Sequence, residues 1–269
     1  MNESKLSQLA ASVELIAAKA GDAILEVYRQ DIEVITKADE SPLTQADLAS
    51  HRVITAALAE LTPEIPVLSE ESAEIDFAER STWQEYWLID PLDGTKEFIN
   101  RNGEFTVNIA LIRRNEPVMG VVYVPVTGVT YSGVVGEGAS RREADGEAVP
   151  IGIRRPCADP RVVVGSRSDA NPARARMLEA RGPQDLVSMG RSLKCCFLAE
   201  GRADFYPRLG PTSEWDTGAA HAVVLAAGGR IVKLDGESLK YNTKESLLNP
   251  EFLVIADDSR DWLAPFKAS

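Results

Sequence analysis

The sequence predicts a mixed α/β (α+β) protein made of stacked layers of helix and sheet, and three observations carry that expectation. Helical periodicity dominates the N-terminal part of the chain. A run of strand candidates punctuated by turn residues follows, up to about residue 134. From about residue 155 short strands alternate with helical stretches.

Leu6, Leu9, Val13, Ile16, Ala17, Ala20, Ile24 and Val27 recur at helical spacing and predict one long amphipathic helix over residues 5–29. A short strand is expected at 32–36 and a loop at Asp39-Glu40-Ser41-Pro42. Residues 44–61 read as a second helix with Leu48, Val53, Ile54, Ala57 and Leu58 on its apolar side. Strand candidates follow at 66–68, 86–89, 105–112, 118–124 and 129–134, separated by Asn115-Glu116-Pro117 and by residues 125–128. Two helices and a largely antiparallel sheet are therefore expected first. Beyond them, strands at 162–164, 204–206, 230–234 and 252–255 alternate with helices near 171–181, 192–200, 216–227 and 258–266. Without repeat, low-complexity tract or linker, residues 1–269 read as a single catalytic domain with an N-terminal half over 1–154 and a C-terminal half over 155–269.

The 269 residues carry a net charge of −12 and no basic run interleaved with aromatics, which excludes a nucleic-acid polymer as partner. No apolar run approaches the roughly 18–20 residues that span a bilayer, and the first residues lack the apolar core of a signal peptide. Cys157, Cys195 and Cys196 are odd in number, which suits small buried hydrophobes in a reducing compartment. A cytoplasmic location is expected, with peripheral association at the cytoplasmic face of the inner membrane and a homodimer left open. An acidic protein repels anionic substrates unless bound divalent cations invert the local charge. Its acids should then be gathered at one place.

Tyr86-Trp87-Leu88-Ile89-Asp90-Pro91-Leu92-Asp93-Gly94-Thr95 has that character: an apolar strand runs directly into two carboxylates. Pro91 is expected to end the strand just after Asp90. The turn can leave the Leu92 carbonyl as a hard oxygen ligand, Gly94 permits a tight bend, and Thr95 opens a helical turn. Carboxylate and carbonyl oxygens are what Mg²⁺ prefers. Upstream, Val67-Leu68-Ser69-Glu70-Glu71 repeats the logic, with Glu70 at the end of a short apolar strand. Asp216 follows Trp215 at the start of an alanine-rich helix, where an ordinary N-terminal aspartate is also expected. Thr44-Gln45-Ala46-Asp47 resembles a capping box, and on these residues alone the cap is the better reading of Asp47. His51 and His221 match no ligand or triad spacing and read as helix-face residues.

Taken together, Thr44 to Asp47, Glu70-Glu71, Asp90 to Thr95 and Trp215-Asp216 resemble the inositol monophosphatase superfamily of lithium-sensitive, Mg²⁺-dependent phosphatases, over essentially the whole chain. Trp87 through Ile99, Asn102 through Leu111, Ser192-Leu193-Lys194 and Tyr206-Pro207-Arg208 are most similar to its bacterial 3′(2′),5′-bisphosphate nucleotidase branch, the CysQ type. The resemblance implies a layered αβαβα sandwich. It implies two or three Mg²⁺ ions, one on Glu70, Asp90 and the Leu92 carbonyl, a second on Asp90, Asp93 and Asp216, and a weaker third near Glu70 and Asp47. It implies direct attack by a metal-activated water, oriented and deprotonated by Thr95 and Asp47. Substrate contacts are implied for Glu70, Leu92, Asp93, Gly94, Thr95, Ser192, Lys194, Arg208 and Asp216.

The substrate so implied is 3′-phosphoadenosine 5′-phosphate, cleaved to AMP and phosphate. Cleavage of the corresponding 5′-phosphosulfate is left open. Arg191 and Glu214 depart from the family pattern close to the expected substrate loops. An inositol or sugar monophosphatase keeps the mechanism but leaves Lys194 and Arg208 unexplained, since two cations suit a second phosphate. A haloacid-dehalogenase-type phosphatase would need Asp-x-Asp-Gly-Thr, one residue shorter than the spacing found here.

Overall fold

The computed structural model describes residues 3–30, 34–36, 42–165, 184–188, 190 and 192–266. Helix α1 (Glu3–Tyr28) buries Val13, Ala17, Ala20 and Ile24 along one stripe. A two-stranded ladder of β1 (Val34–Thr36) and β2 (Pro42–Thr44) leads into α2 (Gln45–Leu61), whose Ala46, Ile54 and Leu58 lie on the inward face. Repeats of three, four and seven put such residues on one side of a helix.

Both helices cover one face of a sheet of seven strands: β3 (Val67–Ser69), β4 (Glu85–Asp93), β5 (Thr106–Arg113), β6 (Glu116–Val124), β7 (Val129–Val134), β8 (Gly138–Arg142) and β9 (Val149–Ile151), paired in that order. Only β3 and β4 run parallel; the remaining neighbours are antiparallel. Short helices α3 (Phe77–Arg80) and α4 (Thr95–Ile99) flank β4. Trp87, Ile89, Val107, Ile109 and Leu111 point to α1 and α2, while Leu88, Ala110, Ile112 and Val122 point the other way. Both faces are covered, so the strands read as continuous apolar runs.

The second face meets α5 (Leu193–Ala199) and α6 (Glu214–Ala226), which pack in turn on a second sheet. That sheet has β10 (Arg161–Gly165), β11 (Gln184–Ser188), β12 (Phe205–Arg208), β13 (Arg230–Lys233) and β14 (Phe252–Ile255) in the order β11-β10-β12-β14-β13. Ala219, Ala220, Val223 and Val224 of α6 join one core with Leu88 and Val122 on one side and Ile231 and Val254 on the other. The close approach requires glycine: a Cβ at Gly120 would lie 2.2 Å from the Ala219 carbonyl oxygen. Gly120→Ala is therefore expected to destabilise by about 1–3 kcal/mol through overpacking, read as a lower urea midpoint. An unchanged midpoint would mean that α6 can lift off the sheet freely.

Three differences from the sequence expectation stand out. Strand β4 does not end at Asp90 but runs to Asp93, because pairing resumes at Asp93–Thr106 after a register shift. Pro91 sits inside that bulge, where no ladder N–H is needed. Residues 258–266 form turns and a 3₁₀ segment at Ala264–Phe266 instead of a helix. There Trp262 stacks on Phe205 at 4.6 Å between centroids and covers the outer face of the second sheet. Strands β2, β8, β9 and β11 fall where the sequence predicts none: β2 and β9 are three-residue segments that contain a proline, and β8 and β11 show no apolar alternation. The helix expected at 171–181, the first residues of the strand at 32–36 and the loop at 39–41 lie outside the described residues.

Candidate active site

The parallel pairing of β3 with β4, Ser69 opposite Ile89, brings Glu70 to the side of Asp90. Asp90 is 1% exposed. Its Oδ1 accepts the Leu92 N–H at 3.1 Å, while Oδ2 is buried without a hydrogen-bond partner. Burial raises its pKa well above the carboxylate range, and the charges of Glu70, Asp93, Asp216 and Asp47 push it further in the same direction. Asp90, Asp93 and Asp216 can each bring a carboxylate oxygen within 4.8 Å of the other two. A buried acid with an orphaned oxygen among other acids is the environment a cation completes, and three hard oxygens suit a divalent ion. Three of the sequence-predicted ligands, Asp90, Asp93 and Asp216, are thus brought together, and Glu70 lies outside that group but near enough for its charge to act on Asp90. The Leu92 backbone is held in the same bulge, and Gly94 follows at φ 104°, beyond easy reach of a side-chain-bearing residue.

The geometry of Asp47 is compatible with both readings left open by the sequence. Its Oδ2 accepts the Thr44 N–H at 2.8 Å and the Thr44 hydroxyl at 2.6 Å, which caps α2. Its Oδ1 accepts the Thr95 hydroxyl at 3.1 Å. Burial raises the Asp47 pKa, the bonds from Thr44 oppose the rise, and Glu71 adds to it.

Asp93 is fixed from the second half of the chain. Its Oδ2 accepts the Ser192 N–H at 3.0 Å and the Ser192 hydroxyl at 2.7 Å. Asn108, oriented by the Thr106 hydroxyl at 3.0 Å, donates to Ser192 Oγ at 2.9 Å. Ser192 also lies 2.8 Å from the Asp216 carbonyl. The Asp216 carboxylate accepts the Ser213 N–H at 2.8 Å, so this residue is also both helix cap and site member. Ser192, expected against substrate, thus holds the Asp93 carboxylate as well as lining the cavity beside it.

That cavity, of about 240 Å³, has Asp93 and Asp216 on one side and Lys194, Arg208 and Tyr206 among its other walls. Lys194 is not an ordinary surface cation: it is 4% exposed, with Nζ 5.3 Å from the Tyr206 ring centroid. Arg208 bonds through Nε to the Thr212 hydroxyl and through Nη2 to the Pro211 carbonyl at 2.6 Å. Lys96 of α4 adds a third cation that sequence reasoning left unassigned.

His51 turns its Nδ1 to Ser69 Oγ at 2.9 Å, bracing the strand that delivers Glu70, a contact no local signal announces. His221 is buried, holds the Tyr241 hydroxyl at 2.9 Å, and is kept neutral with its pKa pushed down to about 3. Burial pushes the Cys195 thiol up to about 12, so it offers no nucleophile to the cavity it lines. Glu214 is buried, accepts the Asn242 N–H at 2.8 Å, and is pushed up to about 7 mainly by desolvation. Arg191 lies outside the described residues.

The profile of the inositol monophosphatase family matches residues 5–261. The chain is 51% identical over 241 residues to the 3′(2′),5′-bisphosphate nucleotidase CysQ of Escherichia coli O6:H1, covering 89% of this chain and 96% of that one. It is 39% identical to the protein of the same name from Haemophilus influenzae, over 99% and 98% of the two chains. The crystal structure of CysQ from Bacteroides thetaiotaomicron, described as a bacterial member of the inositol monophosphatase family, superposes with a TM-score of 0.80 at 41% identity, over 95% and 98% of the chains.

Proposed function

From the premise that this chain belongs to the inositol monophosphatase family, we propose that it is a Mg²⁺-dependent 3′(2′),5′-bisphosphate nucleotidase that converts 3′-phosphoadenosine 5′-phosphate to AMP and phosphate. The names of its relatives support that reading, and one observation carries the choice of a bisphosphate: a buried lysine and an arginine share one cavity with two members of the acidic cluster. The acids suit cations that grip the phosphate to be removed. Lys194 and Arg208 suit the phosphate that stays.

Glu70, Asp90, the Leu92 carbonyl, Asp93 and Asp216 are the proposed ligands. Bound Mg²⁺ would polarise the phosphoryl oxygens and acidify a coordinated water. Thr95 donates its hydroxyl hydrogen bond to Asp47 Oδ1, which leaves its lone pairs to accept a hydrogen bond from the attacking water, and a proton taken from that water at Thr95 is matched by the threonine proton passing to Asp47. Asp47 is the carboxylate placed to take up that proton, and its other oxygen, anchored on Thr44, keeps it in place. Ser192 and Asn108 hold Asp93 in a single direction. No side chain need form a covalent intermediate.

Phosphate release in Mg²⁺ from 3′-phosphoadenosine 5′-phosphate, inositol 1-phosphate, fructose 1,6-bisphosphate and AMP tests the assignment. The first is expected to have the highest kcat/KM, and preference for inositol 1-phosphate would overturn the substrate. Lithium provides a further prediction. Li⁺ is close to Mg²⁺ in size and can enter a site that the larger Na⁺ fits poorly, yet its single charge compensates less phosphate charge, so Li⁺ should inhibit at concentrations where Na⁺ at equal ionic strength does not. Identical responses to Li⁺ and Na⁺ would contradict the proposed cation sites.

No described helix is long and apolar enough to cross a membrane.

A further inference from the structure

Asp216 opens helix α6, yet the segment that fixes this opening lies thirty and more residues downstream. Residues Thr212 to Glu214 run antiparallel to Leu247 to Asn249: Glu214 N–H bonds to the Leu247 carbonyl at 2.8 Å, Asn249 N–H bonds to the Thr212 carbonyl at 2.8 Å, and Ser213 bridges Leu248. The Asn249 side chain then adds two contacts of its own. Its Nδ2 donates to the Ser213 carbonyl at 2.9 Å and to the Thr217 hydroxyl at 3.0 Å, the residues on either side of Asp216 in the first turn. An amide nitrogen has two hydrogens, so both bonds form together.

Ser213 is consequently held at both ends, its N–H by the Asp216 carboxylate at 2.8 Å and its carbonyl by Asn249. Thr217 is saturated as well: its hydroxyl receives Asn249 and the Tyr241 hydroxyl, the latter at 3.2 Å, and donates to the Glu214 carbonyl at 3.1 Å. The Asn249 carbonyl Oδ1 is buried with no hydrogen-bond partner. The amide is therefore present for its donors alone, and an uncompensated buried acceptor is a cost that packing would not select.

We propose that Asn249 is a positioning residue for Asp216, aiming its carboxylate at the cation cluster through Ser213 and Thr217. This rests on the functional reading above. Loosening the turn should weaken cation binding first, and excess cation should restore the lost rate.

The test compares wild type with Asn249→Ala, Asn249→Leu and Arg154→Ala. The last removes the ion pair of Arg154 with buried Asp204 (2.7 Å), two residues that neither line the cavity nor belong to the acidic cluster, and so controls for general destabilisation. Mn²⁺ binding is read by electron paramagnetic resonance, and the Mg²⁺ concentration for half-maximal rate is measured beside kcat. Both Asn249 variants should need about tenfold more cation, the loss expected for a net hydrogen bond. Their kcat at saturating Mg²⁺ should stay within a few-fold of wild type, and Arg154→Ala should keep normal cation affinity. An Asn249→Leu protein with normal affinity would overturn the proposal in favour of packing, and an equal weakening in Arg154→Ala would overturn it in favour of overall stability. A wild-type protein that binds no divalent ion would overturn the functional reading itself, whereas wild-type binding matched by Asn249→Ala would overturn this proposal alone.

Discussion

Replacing Asp90 by asparagine is expected to cut Mg²⁺-dependent turnover by at least ~10²-fold, the scale of the Lewis-acid and water-activating effects a bridging ligand supports. The same change should leave the metal-free protein more stable. Asp90 is buried beside Glu70, Asp93, Asp216 and Asp47, and each of them raises its pKa. A carboxyl whose folded pKa lies above its unfolded value favours the fold while protonated, and that contribution disappears as pH rises through the folded value. Metal-free wild type should therefore lose thermal stability between acid and neutral pH, and Mg²⁺ should restore it. Asp90→Asn should flatten that slope and abolish the Mg²⁺-induced rise in Tm. Thermal melts in chelator and in Mg²⁺, beside a phosphate assay, decide the matter. Near-normal turnover by a folded Asp90→Asn protein would refute the proposed cluster.

Lys194→Ala should separate two phosphates of one substrate. Charge-assisted hydrogen bonds contribute about 1.5–3 kcal/mol each, or roughly 10- to 150-fold in kcat/KM. That loss is expected with 3′-phosphoadenosine 5′-phosphate, and Arg208→Ala should act in the same direction. Hydrolysis of 3′-AMP, which lacks the 5′-phosphate, should remain within a few-fold of wild type. Burial strengthens the expectation for Lys194, because a 4% exposed ammonium over Tyr206 is not readily replaced by solvent. Equal losses with both substrates would instead assign Lys194 to the reacting phosphate or to the fold.

Glu70 and Asp90 were legible because apolar runs deliver them: Val67-Leu68-Ser69 before Glu70, and Trp87-Leu88-Ile89 before Asp90. Asp47 and Asp216 were legible only as a choice, since a helix cap and a site member occupy the same sequence position. The structure is compatible with both for each residue: Asp47 divides its oxygens between Thr44 and Thr95, and Asp216 accepts the Ser213 N–H while lying in the acidic cluster. Asn108, His51 and Asn249 were not legible in these roles. Each acts on a residue supplied by another strand or helix, and nothing in its neighbourhood along the chain encodes that meeting. Strand β8, Gly-Ala-Ser-Arg-Arg, is recruited by the ladder of β7 and shows no apolar alternation of its own. The continuation of β4 past Pro91 escaped for a related reason: a bulge depends on the partner strand.

The wedge of α6 between two sheets has a thermodynamic consequence. Glu70, Asp90 and Asp93 belong to the first sheet and its turns, while Asp216, Lys194 and Arg208 arrive with the helices and strands that follow residue 155. Neither set contains all the proposed ligands, and a cation held by both would act as a reversible crosslink across the seam. Its binding free energy would count in full towards keeping the two sheets docked on α6, since the separated pieces hold only fragments of the ligand set. Slackening at a remote contact such as Gly120 against Ala219 would then surface as a weaker affinity for magnesium, well before any visible unfolding.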